Sequence, residues 1–347
     1  MTQTPNSAQD LFEALSPIKL AGDRCRYSQE YCEEQWPIIE AIRELKKEKN
    51  AIILAHSYVN PDILISVADF VGDSYELSKF AKQSDADSIV FSAVRFMGET
   101  AKILSPHKTV ITPSPIDGCS LADSITAEDM KRLRNEYPDY AFVCYINTSA
   151  DVKAHCDVCV TSSNASQIIQ ALPQDKIYFL PDKLMGENIK NDLKAAGSTK
   201  TLEYYDGTCY VHEEYEPEMI DFIRLNHPHV KVAAHPECAP DIVEKSDFVG
   251  STSQLIKHVK SSDDKEFFLL TECGLSARLQ TEVPGKRFLG SCTMCKYMKS
   301  NTLSQIHQAL SNPRPESIIQ LDERCIQDAK HCIDQMFVYA EKAYART

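Results

Sequence analysis

Nowhere in the 347 residues is there an apolar run approaching the roughly 20 residues that a membrane-spanning helix needs. The N-terminus, M-T-Q-T-P-N-S, has neither a basic start nor an apolar stretch behind it, so it does not read as a secretory signal. Basic residues are in deficit, 37 against 50 acidic, giving a formal net charge of −13. That balance argues against a nucleic-acid or an anionic-membrane partner. An anionic small molecule would then have to be held by local donors, not by the overall field. No stretch rich in Gly, Ser or Pro divides the chain, so its parts are expected to pack as one body. The cysteine count is thirteen, an odd number, so the thiols cannot all pair within the chain. The cytosol is the expected compartment, where clustered thiols suggest metal or catalysis and scattered ones suggest core filling.

What the chain does have is an internal repeat, the feature to look for first because missing it mis-assigns the fold. Phe91, Phe179 and Phe267 are evenly spaced, 88 residues apart (179−91 and 267−179). D-F-V-G-D-S at Asp69 answers to D-V-C-V-T-S at Asp157 and to D-F-V-G-S-T at Asp247, and F-M-G-E-T at Phe96 to L-M-G-E-N at Leu184. Each copy ends at a cysteine: Cys119, Cys209 and Cys295. Within a copy, short apolar strands alternate with helical segments, the pattern of parallel sheets covered on both faces. The fold class expected is α/β: three similar α/β/α layered domains from an internal triplication, arranged around a pseudo-threefold axis. The divisions expected are an N-terminal extension (1–36), three repeats (37–120, 121–210 and 211–300) and a C-terminal helical segment (301–347) that packs back on the body. The first helix is expected to start at Pro37, S-I-I-Q-L near 317–321 to form a strand, and a last helix to run from about Glu323 to Tyr344.

In parallel α/β units, ligands bind beyond the carboxyl ends of strands. The first strand of each repeat ends in a polar pair: His56 and Tyr58, Tyr145 and Asn147, His235 and Glu237. Each second strand runs into a hydroxyl: Ser74, Ser162 and Thr252, with Ser251 beside the last. Helix capping alone explains such hydroxyls. Three equivalent donors at helix starts favour anion binding instead. Copies around a threefold axis would bring Cys119, Cys209 and Cys295 together, a pattern that suits a [4Fe–4S] cluster with one open iron better than a zinc ribbon. Buried structural thiols are the competing reading of that spacing. Cys156 and Cys159 read as core, Cys292 as redox-active or as a neighbour of a ligand, and Cys25 and Cys32 as having no chemistry. His155, His212, His227 and His229 read as surface or structural.

The motifs A-H-S-Y-V-N-P at 55, V-R-F-M-G-E-T-A-K-I-L-S-P at 94, Y-I-N-T-S-A-D-V-K-A at 145, H-P-E at 235, G-S-T-S-Q at 250 and C-x-x-C-x-Y-M-K-x-N at 292 go further. In this order they resemble the quinolinate synthase family of de novo NAD biosynthesis, over residues 37–345. The resemblance implies condensation of iminoaspartate (iminosuccinate) with dihydroxyacetone phosphate to quinolinate, phosphate and water. It also implies a [4Fe–4S] cluster on Cys119, Cys209 and Cys295. A substrate-binding set of His56, Ser74, Tyr145, Asn147, Ser162, His235, Glu237 and Thr252 follows from the same matching. An oxidase supplying iminoaspartate is the partner the pathway would imply. The chemistry calls for a positioned base, for which Glu237 is the first choice with His235 and Tyr58 assisting, and for donors at Ser251 and Thr252. Two other readings stay open: an iron–sulfur hydro-lyase acting on another small hydroxy acid, and a non-enzymatic metal or redox sensor.

Overall fold

The computed structural model describes residues 4–19, 26–290 and 293–344. Three four-stranded parallel sheets carry the chain. The first holds β1 (Ala51–His56), β2 (Phe70–Gly72), β3 (Ser88–Ser92) and β4 (Thr109–Ile111). The second holds β5 (Ala141–Tyr145), β6 (Val158–Val160), β7 (Lys176–Leu180) and β8 (Thr201–Tyr204). The third holds β9 (Lys231–Ala234), β10 (Phe248–Val249), β11 (Glu266–Leu270) and β12 (Arg287–Leu289). Strand order is the same in each: β2-β1-β3-β4, β6-β5-β7-β8 and β10-β9-β11-β12. Helices flank every sheet, so the architecture is the triplicated α/β/α fold around a pseudo-threefold axis that the repeat predicts. In each sheet the first strand lies between the second and third, and the chain's progress reverses there, which is where open α/β sheets bind ligands.

The repeat is held by an identical clasp. An aspartate at the start of each second strand accepts a backbone N–H from the first strand: Asp69 from Ile53 (2.7 Å), Asp157 from Phe142 (2.7 Å) and Asp247 from Val232 (2.8 Å). The same aspartates meet a cation on the preceding helix, Lys46, Arg134 and Arg224 respectively. A lysine just before each fourth strand does a second repeated job. Lys108, Lys200 and Lys286 donate to carbonyls at or just beyond the ends of the helices Ser74–Gln83, Ala165–Ala171 and Thr252–Ser261. These carbonyls have no partner within their own helix, and a cation suits that end of the helix dipole. The glycines of the two M-G-E motifs permit close packing: a Cβ on Gly98 would stand 2.8 Å from Thr112, and one on Gly186 2.7 Å from Tyr204.

Three details depart from expectation. The helix assigned to Pro37 runs Gln29–Glu48, capped by Ser28, with Pro37 inside it. Its buried face is Cys32, Ile39 and Ile42, and the polar first half hid the true start. The N-terminal segment therefore joins the core, with Leu11 and Leu15 of the helix Ala8–Leu15 fully buried. S-I-I-Q-L makes no strand: Pro315–Ser317 is a 3₁₀ turn, and Ile318 makes one antiparallel bridge to Ile111. The last helix spans Glu323–Tyr344 as expected and packs on β6 and its neighbouring helices.

Candidate active site

The carboxyl ends of the three sheets converge on one partly enclosed cavity. Its wall includes His56 and Tyr58 after β1, Tyr145 and Asn147 after β5, and His235 and Glu237 after β9. Ser74, Ser162 and Thr252 line it as well, as do Cys119, Cys209 and Cys295. Ser251 does not, because its hydroxyl accepts the N–H of Gln254 and caps the helix Thr252–Ser261. Asp73 does the same for the helix Ser74–Gln83. With capping done one residue earlier, Ser74 and Thr252 each occupy the first helical position beside the cavity. Capping is therefore not what these two hydroxyls are for.

Contacts between sheets fix the wall. Tyr145 donates to Glu237 Oε1 at 2.6 Å. The Tyr58 hydroxyl lies 2.7 Å from both Thr252 Oγ1 and Thr271 Oγ1. His56 Nδ1 accepts the N–H of Tyr58 at 3.2 Å, and His235 Nδ1 accepts that of Glu237 at 3.4 Å, the same arrangement in two repeats. Each ring is thereby turned so that Nε2 carries the proton. Burial, the Arg278 and Lys299 cations and His235 push His56 down to about 3. Burial, only partly offset by Glu237, holds His235 at about 3. Both rings are neutral donors at physiological pH. Burial by itself would raise the Glu237 carboxyl, but the His212 ring, His235 and the Tyr145 hydroxyl outweigh it and hold the group well below the ordinary carboxylate range.

Sequence reasoning missed four residues. His212, assigned to the surface or structure, is buried: its ring stacks on His235 at 4.8 Å and its Nε2 lies 3.1 Å from Thr271 Oγ1. The signal was its place three residues after Cys209, on the short helix Tyr210–Glu213 that begins just after that cysteine. Thr271 and Glu272 follow β11, a third strand, whereas the sequence reading drew polar ends from first and second strands alone. Glu272 accepts the N–H of Cys295 at 3.2 Å and pairs with Lys299, which also donates to the Tyr58 carbonyl. Lys299 stood in a quoted motif with no role assigned.

The three thiols suit one bulky soft group. Burial raises each of them, Cys119 to about 12, and they feel one another: Cys295 acts on Cys119, and Cys119 on Cys209. Left alone they stay protonated, and a metal is what would make them thiolates. Their sulfurs do not all lie within 4.8 Å of one another, too wide for ligands of a single ion and in keeping with a cluster of several. Cys156 and Cys159 are core residues as expected, packed with Cys144 and Cys332, whose sulfurs are 3.5 Å apart. Cys32 is buried in the core, while Cys25 and Cys292 fall outside the described residues. His155, His227 and His229 lie away from the cavity wall. Among the described residues no helix is long and apolar enough to cross a membrane.

The family model described as Quinolinate synthetase A protein matches residues 40–338. The chain belongs to the quinolinate synthase family. It is 45% identical over 284 residues to quinolinate synthase 2 of Mesorhizobium japonicum, covering 81% of this chain and 86% of that one. It is 43% identical over 298 residues to the quinolinate synthase of Xylella fastidiosa, covering 86% of each. Over 311 residues it is 43% identical to the quinolinate synthase of Aquifex aeolicus, covering 88% of this chain and 94% of that one. Membership of the quinolinate synthase family makes the chain an enzyme, and its converging His, Tyr and Glu side chains are what a non-catalytic metal sensor would not need.

Proposed function

We propose that this protein makes quinolinate for NAD biosynthesis by condensing iminoaspartate with dihydroxyacetone phosphate, releasing phosphate and two waters. The observation that carries the reading is the single cavity lined by three thiols and by a His, Tyr and Glu set drawn from all three sheets. Cys119, Cys209 and Cys295 would hold a [4Fe–4S] cluster, whose iron without a cysteine supplies a Lewis acid to a substrate oxygen or nitrogen.

The remaining work falls to side chains. Two substrates bring a dicarboxylate and a phosphate into a protein of net charge −13. The helix starts at Ser74 and Thr252, and the Ser162 hydroxyl, supply local donors for those anions. His56 and His235 present neutral N–H groups that hydrogen-bond a substrate oxygen without adding charge. Glu237 is the anion of the site. It takes a proton from a substrate carbon while Tyr145 gives its own proton to the departing oxygen, and the proton on Glu237 then passes to Tyr145 along the hydrogen bond between them, restoring both groups. Tyr58, locked between Thr252 and Thr271, and Asn147 orient the ligand. The reducing cytosol is the compartment such a cluster calls for, and a partner oxidase is the source of the unstable imine.

The test is quinolinate formation by the anaerobically purified protein, given dihydroxyacetone phosphate and iminoaspartate generated in place from aspartate by an oxidase. Formation that depends on both substrates supports the reading. An iron-loaded protein that forms none while dehydrating another hydroxy acid refutes it.

A further inference from the structure

The first strand of each repeat is followed by a turn that brings a polar pair to the cavity, and the second repeat builds that turn differently. After β1 the N–H of Val59 donates to the His56 carbonyl at 3.1 Å, and after β9 that of Cys238 donates to the His235 carbonyl at 3.0 Å. In both, the histidine ring accepts the N–H two residues on. After β5 the histidine is replaced by Tyr145, and that ring acceptor is gone. Thr148 instead sends its N–H to the Ile146 carbonyl at 2.8 Å and its hydroxyl to the Tyr145 carbonyl at 3.0 Å. The Lys153 ammonium completes the turn. It donates to the carbonyls of Ile146 (2.8 Å) and Thr148, the residues on either side of Asn147. The offsets that align His56, Tyr145 and His235 (145−56 and 235−145) put Leu64 and Val243 at the matching positions, so the second copy alone has a cation there.

Lys153 is fully buried, and its charge is met by the two carbonyls and by the Phe96 ring, whose centroid lies 5.6 Å from Nζ. A buried ammonium is costly, and a residue without charge would fill the space more cheaply. Phe96 and Asn147 both line the cavity, so the lysine stands one layer behind its wall. Glu99, from the first repeat, accepts the N–H of Ala150 at 2.8 Å and fixes the far end of the same loop. We propose that Lys153 is a positioning residue for the reaction: by clamping the carbonyls that flank Asn147, it holds the Asn147 side chain in the cavity wall, turned to the substrate. An amide carries a donor and an acceptor, so it orients an unsymmetrical ligand only when its own direction is fixed. Fixing it beforehand matters, because a misplacement of about 1 Å from a change away from the chemistry can cost 100-fold in rate. The role at the substrate rests on the quinolinate-forming reading; the clamp on Asn147 does not.

The experiment compares Lys153→Met, which keeps the length but cannot donate, with Lys153→Gln, whose amide carries two N–H groups for the two carbonyls. Quinolinate formation is measured at matched iron and sulfide content per chain. Lys153→Met should lower kcat/KM about 100-fold, and Lys153→Gln should recover at least about tenfold of that. In a double-mutant cycle, Asn147→Ala should cost less than about 3-fold in the Lys153→Met background, while Ser74→Ala keeps its whole effect there. A lysine that only stabilises the fold would leave the Asn147→Ala factor the same in both backgrounds, and that result overturns the proposal. If Lys153→Met fails to fold, the same cycle in Lys153→Gln decides, where the Asn147→Ala factor should shrink in step with the remaining loss. Crystal structures of the variants read the clamp without turnover. Asn147 should leave the cavity wall in Lys153→Met and keep its place in Lys153→Gln. Asn147 in its parental place in Lys153→Met overturns the proposal whatever the kinetics. If the parent forms no quinolinate, the functional reading is what fails, and the crystal structures still decide the clamp.

Discussion

The two ends of the three sheets have had opposite histories within one chain. Around the starts of the second and fourth strands, the triplication repeats itself residue for residue. Asp69, Asp157 and Asp247 make the same clasp, and Lys108, Lys200 and Lys286 each bond the carbonyl just past a helix end, those of Ser84, Leu172 and Ser262. At the carboxyl ends the first strands deliver His and Tyr, Tyr and Asn, then His and Glu. A clasp has the same job in every copy, so the same residue serves. A cavity at the centre of three copies is shared, and an unsymmetrical substrate needs a different group from each side. The cysteines are the exception at that end, alike in all three copies. The proposed cluster, with three protein-held irons, would ask the same of each.

That contrast can be broken by substitutions on either side of it. The largest effect expected is kinetic: Glu237→Gln should cut turnover roughly 100-fold or more while iron content and melting temperature stay at the parent's values. A normal rate would remove Glu237 from the proton chemistry. The mirror image is Asp157→Ala, which strands the buried N–H of Phe142 and leaves Arg134 only the His155 carbonyl as acceptor. It should cost about 1–3 kcal/mol in urea unfolding and leave turnover per folded molecule intact. Loss of activity without loss of stability would contradict the division of labour.

A smaller effect is set by pH. The folded His56 stays neutral down to about 3, whereas the unfolded chain protonates it near 6.5, so below that pH the unfolded state binds the extra proton. Its neutral burial is compatible with the fold above about pH 6.5 and costs progressively more stability as pH falls toward 3. Unfolding free energies of the metal-free parent and His56→Gln should diverge by about 1 kcal/mol per pH unit between pH 6 and 4, the parent losing more. Parallel curves would mean the ring is charged in the fold. Smallest is Lys200→Met, which gives up two carbonyl contacts at the rim. It should lower stability by roughly 0.5–1.5 kcal/mol, read by thermal melting, with no change in KM.

The sequence was legible where physics acts locally. The central strands of each sheet coincide with short apolar runs bounded by polar turns, because a doubly covered parallel strand has no alternation to obscure it, whereas the edge strand β8, T-L-E-Y, carries polar residues. The repeat makes equivalent positions visible, which is how His56, Tyr145 and His235 align in the sequence alone. What stayed hidden lacks a repeat partner or depends on distant contacts. His212 is an ordinary helical histidine until Thr271 and Glu237, far along the chain, close around it. Glu272 becomes visible only when the Cys295 loop folds back onto β11. The polar first half of the helix Gln29–Glu48 gives no apolar signal, and S-I-I-Q-L is apolar enough for a strand but finds a single bridging partner.

The central claim is that the ends of three like domains meet to hold one cluster. Its most direct test is iron and acid-labile sulfide analysis of the anaerobically prepared protein, beside Cys119→Ser, Cys209→Ser and Cys295→Ser. The account predicts about four irons and four sulfides per chain, lost in each of those three and kept in Cys156→Ser and Cys159→Ser. A cluster that survives any of the three changes, or that disappears with Cys156 or Cys159, would contradict it.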